Sequence, residues 1–561
     1  MPHSLSNKPY KERLRNLGQT SRWLWNISRG YRLQSVLNAI VGSAQVGLDL
    51  LFVWATKFTI DIATHVRTDY SLSAALAMLV CIIVFQIAIG IASRWIKAIL
   101  GVRAQNSMQR RIFAHLLQSK WASLRKYHTG DLLNRLERDV TDVIQLITEH
   151  LPALLHTVLQ FIGAFAFLYL MDKGLALIVV IILPVFIVAS RLYVRPMRRI
   201  THQVRATESN VQSLLQESLQ HSLVLKTLGA ISGIHDQLWT TQKALHTQII
   251  KRTKYATITS ALMNVGFGVG YMVAFGWGVV NLEAGLITYG TLIAFVQLVA
   301  QIQSPVRSLT KFVPIIIGSL TASERLIDLQ DIEEEPQQTP HQPKGQGAEL
   351  GISLNGVSYA YPDASKEVIS RLNFNFAPGS ITAIVGETGA GKTTLLRLLL
   401  NVMEPTSGAL KVYDKYGGEW PLTSAVRHLF AYVPQGNTLL SGTLRYNLLL
   451  ANPDATNEEL YKALEMAEAS FVKTLPNGLD THLGELGDGF SEGQAQRISI
   501  ARALLRQSPV YIFDEATSAL DEATEQKVVG NIVEAKRNAT LIFVTHRPEV
   551  LKYATQQLRL E

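Results

Sequence analysis

The chain is 561 residues long, which is enough for two or more domains, and 48% of its residues are hydrophobic. Its net charge of +9 does not indicate nucleic-acid binding, because the basic residues of the first 32 positions flank an apolar segment, as they do in membrane proteins. Cys81 is the only cysteine, which excludes an intrachain disulfide and a cysteine-based metal site. Before about residue 320 the apolar residues form long runs, and after it they form short clusters. A membrane part followed by a soluble part is predicted.

Six segments are predicted to cross a membrane as helices: 35–57, 72–93, 151–171, 174–190, 255–282 and 286–306. The clearest, 72–93, carries no charge and is long enough for a hydrocarbon core of about 30 Å. The first is the weakest, because Asn38, Gln45 and Asp49 interrupt it. A charge at the centre of a span costs about 2.5–3.5 kcal/mol on insertion scales. We interpret this segment as a span that lines a protein interior. Without it the number of membrane crossings would be odd, and the two ends of the membrane domain would lie on opposite sides of the membrane.

The connections between these segments alternate in length and charge. Residues 94–150 and 191–254 contain ten Lys or Arg residues each, whereas the short connections hold only Lys57, Arg67 and Lys173. The positive-inside rule therefore predicts that the N-terminus, both long connections and everything after residue 307 are cytoplasmic. We expect a multi-pass integral protein of a bacterial inner membrane with both termini in the cytoplasm. No cleavable signal peptide is expected, because the basic leader is long and the first apolar segment is too long and polar.

Both long connections are predicted to be helical. Apolar residues recur at helical spacing in the second connection, at Ile200, Val204, Val211, Leu215 and Leu219. A helix of about 25 residues reaches roughly 40 Å, so two such hairpins would carry the membrane helices well into the cytoplasm. The alternative is a peripheral helical bundle without a mechanical role.

The soluble part begins after residues 331–350, whose Pro, Gln and Glu content is typical of a linker. Apolar β-type runs such as ISLNGVSYAY (352–361) and SITAIVG (380–386) then alternate with helical runs such as TTLLRLLLNVM (393–403). This alternation predicts an α/β domain over residues 351–561, following a membrane domain over residues 1–330.

The sequence GETGAGKT at 386–393 fits the phosphate loop G-x-x-x-x-G-K-[ST], and it lies between an apolar strand and a helix, as that loop requires. Its glycines allow a tight turn whose N–H groups face phosphates, aided by the helix N-terminus. Lys392 supplies positive charge to the terminal phosphates, and the Thr393 hydroxyl can coordinate Mg²⁺. The predicted nucleotide-binding residues of this loop are Gly386, Glu387, Thr388, Gly389, Ala390, Gly391, Lys392, Thr393 and Thr394.

Residues 510–515, VYIFDE, form an apolar strand that ends in two carboxylates. Asp514 can hold a Mg²⁺ ion through its water shell, and Glu515 can polarise an attacking water. Buried strands often end in an acid, so the pattern is weak by itself. Its distance downstream of the phosphate loop strengthens the prediction.

The segment FSEGQAQRISIARALLR at 490–506 resembles the signature of the ATP-binding cassette (ABC) family. Further matches follow in the family's order: Tyr361 in SYAYP, Gln435 in AYVPQ, SALD at 518–521 and His546 in FVTHR. Upstream, TGDLLNRLERDV (129–140) and TASERLIDL (321–329) resemble the cytoplasmic hairpin and domain-exit segments of exporter-type half-transporters. The resemblance implies six transmembrane helices with long cytoplasmic extensions, followed by an α/β P-loop NTPase cassette that functions as a dimer.

Within one cassette, the resemblance implies that Tyr361 stacks on adenine and that Gln435 contacts Mg²⁺ or water and senses the membrane domain. It also implies that His546 contacts the γ-phosphate and holds Glu515 and water in place. Otherwise Tyr361 is an ordinary strand aromatic, Gln435 a solvated loop residue and His546 a structural histidine.

Across two cassettes, which in this family bind two ATP molecules head to tail, the signature residues face the partner's nucleotide. Ser491, Gly493 and Gln494 would reach the γ-phosphate of the ATP held by the opposite cassette, and Asp521 would help to shape the partner's site. Phe490 and Glu492 replace the usual leucine and first glycine, and Glu492 adds a negative charge near polyphosphate. We nevertheless expect activity.

The sequence ends at Glu561, where family cassettes usually continue for two more helices, so the dimer contacts of such a tail are expected to be missing.

The resemblance predicts coupling segments near residues 121–131 and 217–229, which are otherwise simple capped helix turns. The predicted function is ATP-driven export by alternating access, as a homodimer or with a related half-transporter, using ATP and Mg²⁺. A heterodimer subunit, an importer with an exporter-like fold and an ATP-gated channel are the alternatives. A soluble cassette protein is excluded by the six spans.

The transported substrate stays open between a lipid, a drug-like compound and a small peptide. His156 and Asp49 are candidate functional residues because they lie within spans, although either can simply be hydrogen-bonded between helices. Arg191, Arg195, Arg198 and Arg199 could attract an anionic headgroup, but the positive-inside rule already explains this cluster.

Overall fold

A computed structural model of the chain describes residues 10–336, 349–361, 366–484 and 489–561. The chain divides into two compact units. The first comprises Met1–Ala114 and Thr129–Asp331, and the second comprises His115–His128 and Ile332–Glu561. A short segment from within the helical part, His115–His128, thus belongs to the second unit; we call it the Trp121 segment. Most of the predicted linker, 337–348, lies outside the described residues.

The first 330 residues are helical. In chain order the helices are α1 (Tyr10–Ile27), α2 (Arg32–Ala63), α3 (Leu72–Gln118), α4 (Trp121–Leu124), α5 (Thr129–Asn134), α6 (Val140–Gln145), α7 (Leu151–Met171), α8 (Lys173–Gln220), α9 (Ser222–Thr227), α10 (Ile231–Glu283) and α11 (Tyr289–Gln330). Two wider π-helical turns, Arg135–Asp139 and Leu146–His150, join α5, α6 and α7 into one continuous rod. The long connections are therefore mostly helical, as predicted.

Within the described residues, four helices are long and apolar enough to cross a membrane: Arg32–Ala63, Leu72–Gln118, Thr129–Met171 and Ile231–Glu283. They contain four of the predicted spans. The other two also lie in helices, 174–190 within α8 and most of 286–306 within α11, which begins only at Tyr289. Six membrane crossings therefore stay a prediction.

The core of the first unit lies where α2, α7, α8, α10 and α11 meet, and its largest buried side chains include Leu168, Leu175, Phe295, Leu298 and Ile302. Asp172 fixes the turn between α7 and α8. One of its carboxylate oxygens accepts from the Leu175 N–H at 2.9 Å, and the other accepts from the Trp277 indole at 3.0 Å. An N-terminal cap of this kind satisfies a backbone donor that the helix itself leaves unpaired.

The second unit contains eleven strands among its described residues. In chain order they are β1 (Leu350–Tyr359), β2 (Ile369–Phe376), β3 (Ile381–Gly386), β4 (Ser407–Asp414), β5 (Glu419–Pro421), β6 (Phe430–Val433), β7 (Gly442–Thr443), β8 (His482–Leu483), β9 (Val510–Asp514), β10 (Thr540–Val544) and β11 (Gln556–Leu560). The helices between them are α12 (Lys392–Leu399), α13 (Leu444–Leu449), α14 (Asn457–Met466), α15 (Glu492–Leu505), α16 (Glu522–Ala535) and α17 (Pro548–Tyr553).

The central sheet of this unit is parallel, with the order β11-β3-β10-β9-β6. Every residue of β9 and β10 is buried, which explains why these strands read as unbroken apolar runs. A second, antiparallel sheet has the order β2-β1-β4-β5. Because parallel strands end at the same edge of their sheet, the segments that follow β3, β6, β9 and β10 converge there.

Candidate functional site

The phosphate loop connects β3 to α12. Gly389 and Gly391 have φ values of +94° and +89°, a backbone region that side-chain-bearing residues rarely adopt. Gly386 is required for another reason, because a Cβ there would lie 2.5 Å from the carbonyl oxygen of Leu560 on the neighbouring strand. Of the other predicted loop residues, Glu387, Thr388 and Thr393 are exposed, whereas Thr394 is buried. The loop thus leads into the N-terminus of α12, where backbone N–H groups favour a bound phosphate.

Lys392, the first residue of α12, is 9% exposed, and its ammonium group lies within the site. Its Nζ donates to the Gly386 carbonyl at 2.6 Å and contacts His546 Nε2, also at 2.6 Å. An ammonium group can only donate a hydrogen bond, so His546 Nε2 is the acceptor in this contact. The structure therefore brings together Lys392 and His546, which are 154 positions apart in the sequence.

Asp514 and Glu515 lie at the end of β9, beside the phosphate loop. Asp514 is 5% exposed and accepts a hydrogen bond from the Tyr432 hydroxyl at 3.2 Å. Burial raises the pKa of Asp514, although that hydrogen bond and the Lys392 charge act in the opposite direction. Glu515 leaves the strand at a φ of +48°, and its Oε2 accepts from Gln435 Nε2 at 2.7 Å. The proposed base and the proposed sensor glutamine are therefore in direct contact.

Tyr361 lies beside the first turns of α12, which follow the phosphate loop. Its ring packs edge-to-face on Tyr359, with centroids 5.1 Å apart. Its hydroxyl lies 3.1 Å from Thr394 Oγ1 and accepts from Arg397 Nη1 at 3.1 Å. Although burial raises the pKa of Tyr361, the hydrogen bond with Thr394 and the Arg397 guanidinium bring it below its usual value. The predicted adenine aromatic thus adjoins the phosphate-binding helix.

The signature residues use their side chains locally. Ser491 and Gln494 form a capping box at the start of α15, with side-chain-to-backbone distances of 3.3 and 3.0 Å. Gly493 is required because a Cβ there would lie 2.8 Å from the Ala519 carbonyl oxygen. Asp521 caps α16 by accepting from the Thr524 N–H at 3.0 Å. Within the chain, the described hydrogen bonds of Ser491, Gln494 and Asp521 do not reach the phosphate loop.

The two departures from the family signature are accommodated. Phe490 packs against the core of the second unit and lies 6.1 Å from the Phe471 ring centroid. Glu492 is exposed at the first residue of α15, where a negative charge is favourable beside the helix dipole.

Sequence reasoning missed three residues that organise the site. Tyr432 holds Asp514, and Arg397 holds Tyr361. Gln496, which is 1% exposed, donates to Ser518 Oγ at 3.0 Å and accepts from the Ala519 N–H at 3.1 Å. The only available signal was a polar residue within an apolar run, such as Arg397 in TTLLRLLL.

Comparison with known proteins matches both units. A family model of the ABC transporter transmembrane region matches residues 36–306, and one of the ABC transporter matches residues 369–518. An ATP-dependent lipid A-core flippase of Desulfotalea psychrophila is 30% identical over 454 residues, which are 80% of this chain and 78% of the relative. The chain belongs to the ABC transporter family.

Other ABC transporters match along nearly the whole chain. A Staphylococcus aureus protein named as a candidate multidrug export ATP-binding/permease protein is 26% identical over 546 residues, 95% of this chain and 93% of the relative. A solved structure of a bacterial Atm1-family ABC exporter with ATP bound has a TM-score of 0.77 at 23% identity, covering 95% of this chain and 94% of that one. This ABC transporter therefore has the exporter fold. It binds ATP and couples ATP hydrolysis to transport across a membrane.

The donor groups of the ABC transporter site fit a magnesium ion. Mg²⁺ is usually held by one or two carboxylates together with substrate phosphates and water, and does not need a complete protein cage. Asp514 offers a carboxylate and Thr393 an exposed hydroxyl. The described residues contain no cluster of three or more His, Cys, Asp and Glu side chains. Phosphate oxygens and water would supply the further ligands.

Polar side chains also meet within the predicted spans. Asp49 Oδ1 accepts from Gln86 Nε2 at 3.0 Å, and the Asp49 carbonyl accepts from Gln301 Nε2 at 3.4 Å. These bonds join α2 to α3 and α11. Polar residues in a span are costly unless they bond to one another or to a ligand.

Of the predicted arginine cluster only the Arg199 side chain lies within the described part, and it is exposed.

Proposed function

We propose that this ABC transporter is half of a homodimeric exporter in which two cassettes enclose two ATP molecules. The observation that carries the proposal is the division of the predicted ATP contacts within one chain. Lys392, His546, Glu515 and Gln435 converge beside the phosphate loop. Ser491 is exposed, and its described hydrogen bonds stay within its own helix. A second chain related by twofold symmetry would bring its signature to the first chain's nucleotide.

In this proposal Lys392 neutralises charge on the terminal phosphates, and Glu515 polarises the attacking water. Gln435 orients the Glu515 carboxylate. His546 contacts the γ-phosphate once the Lys392 ammonium group has moved from His546 to the phosphate. Tyr361 stacks on adenine, while Thr393, Gln435 and Asp514 are the candidate magnesium ligands. Bound Mg²⁺ would supply further neutralisation of phosphate charge.

The membrane domain is proposed to comprise residues 1–330, with six spans, and to be joined by residues 331–350 to the cassette at 351–561. Both termini and both long helical connections would be cytoplasmic. The tight turn at Asp172 supports α7 and α8 as consecutive spans. The packing of α11 against α2 and α7 supports α11 as the sixth.

Two segments are proposed to couple the cassette to the spans. The Trp121 segment already packs within the second unit, through an antiparallel bridge from Ser119 to Glu334 and an ion pair of 2.8 Å from Lys120 to Glu333. Around α9, by contrast, apolar side chains are 65–75% exposed: Leu219, Leu223, Leu228 and Trp239. This apolar tip is proposed to bind the cassette of the partner chain.

The substrate is proposed to be a lipid, a drug-like compound or a small peptide. The lipid A-core flippase and the candidate multidrug exporter among the relatives support an amphiphilic molecule. Within the spans Asp49 offers a carboxylate that could bind a cationic part of such a molecule. Stimulation of ATP hydrolysis by a panel of lipids and cationic drugs would identify the class.

Complementation tests the shared sites. Chains with Lys392→Ala and chains with Ser491→Ala are each expected to be inactive as homodimers. If the sites are shared, their heterodimer contains one site built from an intact phosphate loop and an intact signature. ATP hydrolysis should therefore reappear when the differently tagged chains are co-purified. An inactive heterodimer would contradict the proposal if cross-linking also failed.

Cross-linking provides the second measurement. Because Cys81 is the only cysteine, Cys81→Ser gives a cysteine-free parent. Thr388→Cys with Ser491→Cys should then form an ATP-dependent disulfide between two chains, visible as a dimer in a denaturing gel. A disulfide within one chain would show that the signature faces its own phosphate loop.

A further inference from the structure

Arg397 on α12 joins two aromatic side chains that the sequence places far apart. Its Nη1 donates to the Tyr361 hydroxyl at 3.1 Å, and its Cζ lies 5.0 Å from the centroid of the Trp121 ring. All three residues are partly buried and belong to the second unit. One guanidinium therefore contacts both Tyr361 and the Trp121 segment.

The hydrogen bonding gives Tyr361 a defined position. Since the guanidinium can only donate, the Tyr361 oxygen accepts from Arg397, and its single proton is free to bond Thr394 Oγ1 at 3.1 Å. Thr394 is 5% exposed in the first turn of α12. The phenol is thus tied to α12 at two points, and loss of Arg397 would leave only one.

The indole is held with comparable specificity. Arg125 lies 5.4 Å from the Trp121 centroid, and Lys120 makes ion contacts of 2.8 Å with Glu333 and 3.6 Å with Glu404. A guanidinium near an indole is attracted by the ring's negative face. Movement of Trp121 would therefore change the environment of Arg397, and through it the position of Tyr361.

We infer that Arg397 is a positioning residue that links the aromatic ring for adenine to the Trp121 segment. The inference rests on the proposed stacking of Tyr361 on adenine. The Trp121 segment then detects the base of the nucleotide, as distinct from its phosphates. By thermodynamic linkage, if the adenine base favours one arrangement of the Trp121 segment, a change that favours that arrangement raises the affinity for adenine nucleotides.

Two ligands distinguish the contribution of the base to binding from that of the phosphates. AMP-PNP has both and is not hydrolysed, whereas inorganic tripolyphosphate has no base. Binding is measured by calorimetry on the full-length protein in lipid nanodiscs. Arg397→Gln should weaken AMP-PNP binding by roughly three- to tenfold, which is less than the full value of a charged hydrogen bond and a cation–π contact because the hydrogen bond with Thr394 still holds Tyr361. Tripolyphosphate binding should not change, because the phosphate loop is intact. Equal losses for both ligands, or no loss for either, would overturn the inference.

Matched variants define the link. Arg397→Lys keeps the charge but not the fork that reaches two partners, so its affinity should be intermediate. Arg537→Gln removes an arginine whose side chain is 72% exposed and should have no effect on either ligand. Trp121→Leu should weaken AMP-PNP binding in the parent but add little in the Arg397→Gln protein. These two variants and their combination form a double-mutant cycle. Fully additive losses of AMP-PNP affinity in it would show that the two side chains act separately.

Tryptophan fluorescence measures the effect of nucleotide binding on the Trp121 segment. AMP-PNP should change tryptophan emission more than tripolyphosphate does, and Trp121→Phe should abolish that difference. An unchanged difference in Trp121→Phe would place the signal elsewhere and contradict the inference.

The Tyr361→Leu variant distinguishes this inference from the proposed function. If it binds AMP-PNP as tightly as the parent, the assignment of Tyr361 to adenine fails and the inference fails with it. If Tyr361→Leu weakens AMP-PNP binding but Arg397→Gln does not, only the inference fails.

Discussion

Glu515 combines a strained backbone with a held side chain. A φ of +48° is rare for a residue other than glycine, and such strain is commonly found at functional sites. The backbone N–H of Glu515 donates to the Val544 carbonyl at 3.0 Å, which fixes the residue between β9 and β10. The carboxylate is therefore aimed by the sheet as well as by Gln435.

Glu515→Gln should abolish most ATP hydrolysis while preserving ATP binding. General-base catalysis typically contributes about 10²- to 10⁴-fold, so a loss of this size in phosphate release is expected. Glu534→Gln removes a carboxylate whose side chain is 76% exposed and should leave the rate unchanged. Hydrolysis at the parent rate in Glu515→Gln would disprove the assignment of the base.

Gly493→Ala should lower ATP hydrolysis without weakening ATP binding to the phosphate loop. The added methyl group would lie 2.8 Å from the Ala519 carbonyl, so α15 or the 518–521 loop must shift. Gly530→Ala is the matched control, because its Cβ would meet the Tyr553 hydroxyl at an ordinary 3.5 Å. That control lies within α16 and should be stable or slightly stabilised, by up to about 1 kcal/mol. Equal activity in both variants would argue against a close fit at Gly493.

At the scale of elements, Gln496 connects the signature helix α15 to the loop before α16. Its amide makes two hydrogen bonds to residues 518 and 519 in a buried position. The same loop is held by Arg547, whose Nη2 donates to the Ser518 carbonyl at 2.6 Å. The loop that contains Asp521 is therefore supported both by α15 and by the residue next to His546.

Gln496→Leu should destabilise the cassette by about 1–3 kcal/mol, the cost of leaving buried polar groups unpaired. Thermal unfolding of the purified protein measures this loss, and ATP hydrolysis should fall with it because Asp521 is no longer fixed. Gln526→Leu changes an exposed glutamine on α16 and serves as the control. A Gln496→Leu protein as stable as this control would show that the two bonds are dispensable.

At the scale of the whole molecule, the apolar tip around α9 tests dimer formation. Leu223 is 74% exposed, and a charge in its place should prevent a partner cassette from covering the tip. Leu223→Glu is expected to lower the proportion of dimer in light-scattering measurements and to lower ATP hydrolysis. Binding of ATP to the chain should persist.

Ser222→Glu is the control, since Ser222 is exposed on the same short helix and an acid is favourable at a helix start. If Leu223→Glu dimerised and hydrolysed ATP like this control, the tip would not be a dimer contact.

The parts of this ABC transporter that could be predicted from its sequence are those with local signals. The phosphate loop, the strand ending at Asp514 and the signature at 490–506 are contiguous patterns, because a tight turn, a buried strand and a helix start each impose requirements on neighbouring residues. The apolar runs predicted the helices of the first unit for the same reason. The start of α11 at Tyr289, and not at 286, could not be read from hydropathy because Thr288 caps the helix.

The folded chain was needed to show which distant side chains meet. The contacts of Lys392 with His546, Gln435 with Glu515 and Arg397 with Trp121 join residues 80 to 276 positions apart. They arise because parallel strands bring successive loops to one sheet edge and because the Trp121 segment packs within the second unit. One sequence without this packing cannot reveal such pairs, since each partner is compatible with many others until the backbone fixes the distance between them.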